Sequence, residues 1–188
     1  DLISTTPGDG RATLSWSAPD SDGGRPITDY KVEYTSDLGK TWTAFAHAAS
    51  TLTSIAVTGL ANGTAYYFRV SAVNDRGSSQ ARTTPVPVTP RTVPGIPGGV
   101  TAVAGAGKAT VSWTAPASNG GAAITDYRIE SSLDAGKTWT VFAHPVSAAT
   151  SIAVTGLTKG KACIFRVAAV NEAGAGATRQ SAVPVVPT

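Results

Sequence analysis

Along most of the chain, apolar and polar residues alternate with a period of two. Ala12, Leu14 and Trp16 are separated by Thr13 and Ser15, and Ala109–Trp113 repeats the pattern. Tyr30, Val32 and Tyr34 alternate with Lys31 and Glu33. Tyr66, Phe68, Val70 and Ala72 alternate with Tyr67, Arg69 and Ser71. Side chains two apart share one face of a strand, so the pattern predicts half-buried strands with one core face and one wet face. Turn-forming clusters (Asp20–Gly24, Asp37–Gly39, Ala61–Gly63, Asn74–Ser79) recur at intervals of about 8–15 residues, the spacing of an antiparallel β-sandwich. No stretch carries the 3.6 period of a helix.

The chain also matches itself at an offset of 97. Trp16 falls on Trp113, Pro19 on Pro116, Ile27–Tyr30 on Ile124–Tyr127, and Gly39–Thr43 on Gly136–Thr140. Thr53–Leu60 reappears unchanged as Thr150–Leu157, and Phe68-Arg69-Val70 returns as Phe165-Arg166-Val167. With roughly half the aligned positions identical and the register unbroken, two copies of one domain is the economical reading.

Composition narrows the classes. Of 188 residues, 41% are hydrophobic and 14% charged, enough apolar material for packed cores. The net charge of +3 and the lack of a Lys or Arg run disfavour a nucleic-acid binder. A single cysteine excludes an internal disulfide framework and a thiolate metal cluster. Apolar runs fall far short of the roughly 20 residues that span a bilayer, so no membrane insertion is expected. No Met is present and no signal segment opens the chain, which suggests a piece of something longer.

The ordered set of landmarks resembles the fibronectin type III family, twice over. It includes a second-strand Trp (Trp16, Trp113) followed by Pro (Pro19, Pro116), then Tyr-x-Val-x-Tyr in the third strand. A Leu precedes the sixth strand (Leu60, Leu157), and Tyr66–Asn74 is similar to the family's sixth strand itself. The resemblance implies an all-β fold of two seven-stranded antiparallel sandwiches without a disulfide. The expected division is 1–90 and 98–188 for the domains, with 91–97 a proline-rich linker. The implied core holds Trp16, Tyr30, Leu60 and Tyr66, and Trp113, Tyr127, Leu157 and Cys163. Tyr66 stands at the family's tyrosine-corner position. The second copy departs there, with Cys163 for Tyr66 and Ser131 for Tyr34, and it is expected to unfold at lower denaturant. Pro90, Pro94 and Pro97 predict a stiff, extended connection, and a longer array of such domains is expected in the parent protein.

Few residues suggest chemistry. Thr35–Trp42 and Ser132–Trp139 share an S/T-x-D-x-G-x-T-W pattern similar to an Asp-box hairpin, read here as turn chemistry between the third and fourth strands. Trp42 and Trp139 on these hairpins are candidate surface contacts, either stacking platforms or rings packed beside Arg69 and Arg166. Lys159 and Lys161 join Lys108 and Lys137 in loops at one pole of the second copy. There they face a neighbouring domain, or reach acidic glycans or phosphate-rich wall polymers by long-range attraction. His47 and His144, one per copy, read as polar surface residues, since a metal site or triad needs several groups converging. Asp20, Asp22 and Asp29 match no calcium-loop spacing. Asp75-Arg76-Gly77 has the wrong order for integrin recognition. Asn62-Gly63-Thr64 has the form of a glycosylation sequon, usable in a secreted eukaryotic protein.

The expected role is a non-catalytic spacer and interaction module with no cofactor and no metal. Its partners would be neighbouring domains and a protein or glycan, and the fragment itself would be a monomer. The alternative is an accessory module of a secreted polysaccharide-degrading enzyme. Both place the chain outside the cell or on its surface. The Ala-, Gly- and Thr-rich composition suggests a bacterial source.

Overall fold

The computed structural model describes residues 3–188. It divides into two compact units, Asp1–Arg91 and Thr92–Thr188. The first unit is built from β1 (Ser4–Gly8), β2 (Arg11–Ser15), β3 (Asp29–Thr35), β4 (Thr43–Ala44), β5 (Ser54–Thr58), β6 (Tyr67–Asn74), β7 (Gly77–Ser78) and β8 (Arg82–Thr83). One sheet runs β1-β2-β5 and the other β4-β3-β6-β7, with β8 also pairing β6. Since β7 and β8 are two pieces of one interrupted last strand, this is a seven-stranded sandwich.

The second unit repeats the plan with β9 (Gly98–Gly105), β10 (Lys108–Thr114), β11 (Asp126–Ser132), β12 (Thr140–Val141), β13 (Ser151–Thr155), β14 (Ile164–Asn171), β15 (Gly174–Ala175) and β16 (Arg179–Gln180). Its sheets run β13-β10-β9 and β12-β11-β14-β15. No helix is present among the described residues, so none is long and apolar enough to cross a membrane.

The alternation in sequence becomes alternation in burial. Along β2, Ala12 and Leu14 are fully buried while Arg11, Thr13 and Ser15 are exposed. Each core is closed by the inward residues of both sheets. The first holds Leu14, Tyr30, Val32, Leu60, Tyr66 and Phe68, with Trp16 partly buried against them. The second holds Val111, Trp113, Tyr127, Ile129, Cys163 and Phe165, with Leu157 partly buried. Tyr66 reaches its corner, where its hydroxyl accepts a hydrogen bond from Ala61 N at 3.1 Å. Cys163 is 1% exposed, and burial pushes its thiol up from the ordinary range.

The proline-rich stretch departs from the linker expectation, because its backbone is bonded into the units. Pro90 O accepts from Gly63 N, and Arg91 N donates to Gly8 O, both within the first unit. In the second unit, Thr92 N donates to Gly120 O at 2.8 Å and Gly95 N to Ser118 O at 2.9 Å. Asn171 Nδ2 donates to Thr92 O at 2.9 Å, and Arg179 Nε to Pro97 O at 2.6 Å. Pro97 is fully buried. Thr92–Pro97 is thus an integral edge of the second sandwich.

Candidate interaction surface

The third-to-fourth-strand hairpin is fixed by its own polar residues. The Asp37 carboxylate accepts from Thr35 Oγ1 (2.6 Å), Thr41 Oγ1 (2.5 Å) and Thr41 N (3.0 Å), while Thr35 Oγ1 accepts from Gly39 N. Asp134 repeats this with Ser132 and Thr138. Hydrogen bonds to the charged form hold both carboxyls down. For Asp37 the Thr35 hydroxyl is the largest cause, followed by Thr41. For Asp134 it is the Thr138 side chain, which brings the value to about 2. The turn needs left-handed backbone at two successive residues, so Leu38 (φ 60°) joins Gly39 (φ 85°), and Ala135 does so in the second unit. A side chain in that region is strained, and the carboxylate bonds on either side hold it there.

This hairpin lays its Trp across the outer face of the larger sheet. Arg69 Cζ sits 4.3 Å from the Trp42 ring centroid, and Arg166 Cζ sits 4.4 Å from that of Trp139. Directly opposite on β3 stands Glu33, in register with Arg69. Arg69 Nε donates to it at 2.7 Å, and Lys31 Nζ lies 2.9 Å away. In the second unit Glu130 takes bonds from Arg166 Nε at 2.6 Å and Arg128 Nη2 at 2.8 Å. The result is a layered stack of indole, guanidinium and carboxylate. The Arg69 bond lowers the Glu33 carboxyl despite burial, and the Arg166 bond does the same for Glu130. One face of each indole is therefore occupied from within its own unit.

Lys159 and Lys161 are exposed in the turn before β14, and Lys137 is exposed in the hairpin that follows β11. Ser132 pairs with Ile164 and Lys108 with Thr155, so all four lysines share one end of the second sandwich.

The histidines differ from the surface role expected of them. Only 15% of the His47 side chain and 9% of the His144 side chain is exposed. Each stacks on a Phe two residues earlier, at 6.1 Å between ring centroids. His144 Nδ1 lies 2.9 Å from Pro145 O and its Nε2 2.9 Å from Tyr127 O. The strand-end position suggested exposure, but the Phe stacked on each ring, and for His144 the Tyr127 carbonyl as well, set the burial. The candidate acids disperse: Asp22 caps Gly24 N, while Asp29 accepts from Ser50 N. Among the described residues no three His, Cys, Asp or Glu side chains gather as a metal site would require. The Asn62 side chain is spent on Gly10 N and Asp9.

Against known proteins, the fibronectin type III domain profile matches residues 1–89 and again 95–185. The chain is 31% identical over 186 residues to myosin-binding protein C, fast-type, of Gallus gallus, covering 96% of the chain and 16% of that protein. It is 32% identical over 168 residues to titin of Drosophila melanogaster, covering 87% of the chain and 1% of titin. Identity to myomesin-2 of Homo sapiens is 28%, over 93% of the chain and 12% of that protein. The chain thus spans 16% or less of the length of these relatives. In structure it is similar to domains A168–A170 of titin, with a TM-score of 0.63 at 22% identity, covering 96% of the chain and 60% of that structure.

These relatives are intracellular proteins of the muscle sarcomere, which overturns the extracellular or cell-surface location expected from the sequence. They are animal proteins, so the expected bacterial source is without support as well. With both halves matched by the same profile and the sandwich topology present in each, the chain belongs to the fibronectin type III family, as a tandem pair of its domains.

Proposed function

We propose that the chain is a non-catalytic spacing and protein-interaction module of a multidomain protein. The observation that carries this reading is the extent of the match to myosin-binding protein C, 186 residues running through both units. The tandem pair, not the single domain, is what is shared. The polar chemistry of each unit supports the same reading, because the hairpin carboxylates and the indole–guanidinium–carboxylate stack are spent on internal bonds. Sugar stacking on Trp42 or Trp139 is disfavoured by the guanidinium already lying on each ring. The exposed basic end of the second unit, with Lys159 and Lys161, suits an acidic protein surface, which attracts it over about a Debye length of 8–10 Å.

Lysine-directed crosslinking of the parent protein in its native assembly tests this. Crosslinks from Lys137, Lys159 or Lys161 to another polypeptide, reduced in a Lys159→Glu/Lys161→Glu variant, are expected. Crosslinks confined to the parent chain itself would contradict the interaction role. Turnover by the purified chain, abolished by one substitution, would contradict the non-catalytic one.

A further inference from the structure

The two units close the outer face of the larger sheet differently beside the hairpin Trp. In the second unit, Ile164 at the start of β14 is buried. A Cβ on Gly136 would meet Trp139 at 3.4 Å, the Ile164 Cδ1 methyl at 3.5 Å and the Gln180 Oε1 amide oxygen at 3.7 Å. The Trp139 indole N–H donates to Gly136 O at 3.1 Å. A methyl group, an amide oxygen and a bonded indole thus fill this place.

At the offset of 97, Ala135, Ile164 and Gln180 correspond to Leu38, Tyr67 and Thr83. Neither Tyr67 nor Thr83 fills the same place, because the three atoms nearest a Cβ on Gly39 all belong to Trp42, at 3.6, 3.8 and 3.9 Å. What remains is a cleft of about 250 Å³ lined by Leu38, Gly39, Trp42, Tyr67, Thr83 and Thr84. Its polar groups are unspent. Among the described residues, neither the Trp42 indole N–H nor the Tyr67 hydroxyl has a hydrogen-bond partner. Leu38 at the rim is 81% exposed and sits at a φ of 60°. An apolar side chain held in water on strained backbone gains from being covered.

The second unit shows what fits there. One branched aliphatic side chain is supplied by Ile164, and the oxygen beside it by Gln180. An indole N–H can only donate, so the occupant must bring an acceptor. Charge narrows the occupant further. Lys40, next to Gly39, is exposed and has no ion pair among the described residues. Asp37 is spent on the turn, and Glu33 on Arg69 and Lys31. The free charge at the rim is therefore positive.

We propose that the cleft beside Trp42 docks an acidic protein segment. The segment inserts one branched aliphatic side chain among Leu38, Trp42 and Tyr67, and its backbone carbonyl accepts from the Trp42 indole N–H. This rests on the reading of the chain as a protein-interaction module and names the chemistry of one partner.

The test is a titration of the full chain with the capped peptide Glu-Glu-Ile-Glu-Glu, followed by nuclear magnetic resonance at the indole N–H signals. A saturable shift is expected at Trp42 and none at Trp139. Alanine in place of the peptide's isoleucine should weaken binding about tenfold, the worth of the lost aliphatic contact. The peptide Lys-Lys-Ile-Lys-Lys should bind more weakly than the acidic one. Leu38→Ala/Tyr67→Ile/Thr83→Gln gives the first unit the filled arrangement of the second, and should abolish the Trp42 shift. The reciprocal Ala135→Leu/Ile164→Tyr/Gln180→Thr should create a second site, read as a new shift at Trp139. Should the filled variant fail to fold, the reciprocal one decides. Absence of a saturable Trp42 shift overturns the proposal, as do equal binding of the alanine peptide and a shift unaltered in the filled variant. A Trp42 shift that grows with protein concentration without peptide would assign the cleft to a second copy of the chain, and would overturn it too. Crosslinks from the basic end of the second unit would leave the wider interaction role standing if the peptide fails.

Discussion

The two units share strand register residue for residue, yet their cores differ at the corner where the sixth strand begins. In the first, Tyr34 meets Tyr66 edge-on at 5.9 Å between ring centroids, and both lie 6.4 Å from Phe68. In the second, Ser131 and Cys163 replace the two tyrosines and only Phe165 remains. The hydroxyl bond from the corner to Ala61 N goes with the ring. Even so, β11 pairs with β14 over the same seven steps as β3 with β6. Backbone pairing and the inward alternation of Val, Ile and Phe are enough to specify the sandwich. Ring identity at the corner sets how strongly it is held. At the other end of the second sandwich, Thr92–Pro97 is bonded to Gly120, Ser118, Asn171 and Arg179.

The largest test of this comparison is Tyr66→Cys, which gives the first unit the corner of the second. Loss of the ring and of its hydrogen bond is expected to cost about 2–4 kcal/mol. The unfolding transition of the first unit in urea would report it. A cost below the ordinary scatter of surface substitutions would mean that the aromatic corner contributes little.

Next in size is the guanidinium beneath each indole. Arg166→Met leaves Glu130, whose side chain is 3% exposed, with Arg128 alone; Arg69→Met leaves Glu33, 9% exposed, with Lys31. Breaking a buried pair costs about 3–5 kcal/mol. Both arginines are nearly one-third exposed and a second cation remains in each unit, so roughly 1–2 kcal/mol is expected after screening. The second unit, with the more buried carboxylate, should lose more. Equal losses would show that carboxylate burial does not set the cost.

The asparagines come third. Asn171→Ala breaks three short bonds, from Nδ2 to Thr92 O and Asn119 O and from Ala173 N to Oδ1, whereas Asn74→Ala breaks two short and one long. The second unit should therefore be destabilised by about 0.5–1.5 kcal/mol more than the first, the net worth of one hydrogen bond. The same destabilisation in both would contradict the seated segment.

Acid gives the smallest and most graded effect. The Asp134 carboxyl, at about 2 in the folded chain against an ordinary 3.8, favours the folded state fully above pH 3.8. That contribution is lost as pH falls through the folded value. Asp37 is held lower still, and Glu33 and Glu130 shift in the same direction. Unfolding midpoints should therefore fall on going from pH 5 to pH 2. Asp134→Asn should flatten the slope for the second unit only. An unchanged slope would place the acid sensitivity outside the hairpins.

Much of this was legible in the sequence, because its physical basis is local. The period of two assigns the faces of β2, β3 and β6, and it places Arg69 and Trp42 on the outer face. The hairpin chemistry of Thr35, Asp37 and Thr41 lies within seven residues. The burial of His47 and His144 was not legible, since it depends on ring stacking and, for His144, on the Tyr127 carbonyl of another strand. Nor was the seat of the proline-rich stretch. The prolines of 91–97 read locally as a stiff connection, whereas their place is decided by bonds to Ser118 and Gly120, to Asn171, and to Arg179 more than eighty residues away. Alignment of the two copies also hides the segment, because its equivalents in the first copy fall before Asp1.

Native-state hydrogen exchange at the Thr92 and Gly95 amides tests most directly whether the proline-rich stretch is part of the second sandwich. If the stretch is integral, both amides exchange as slowly as the edge-strand amides of that unit, and they speed up in Asn171→Ala. Exchange at the rate of an unstructured peptide in the unaltered chain would make the stretch a free linker.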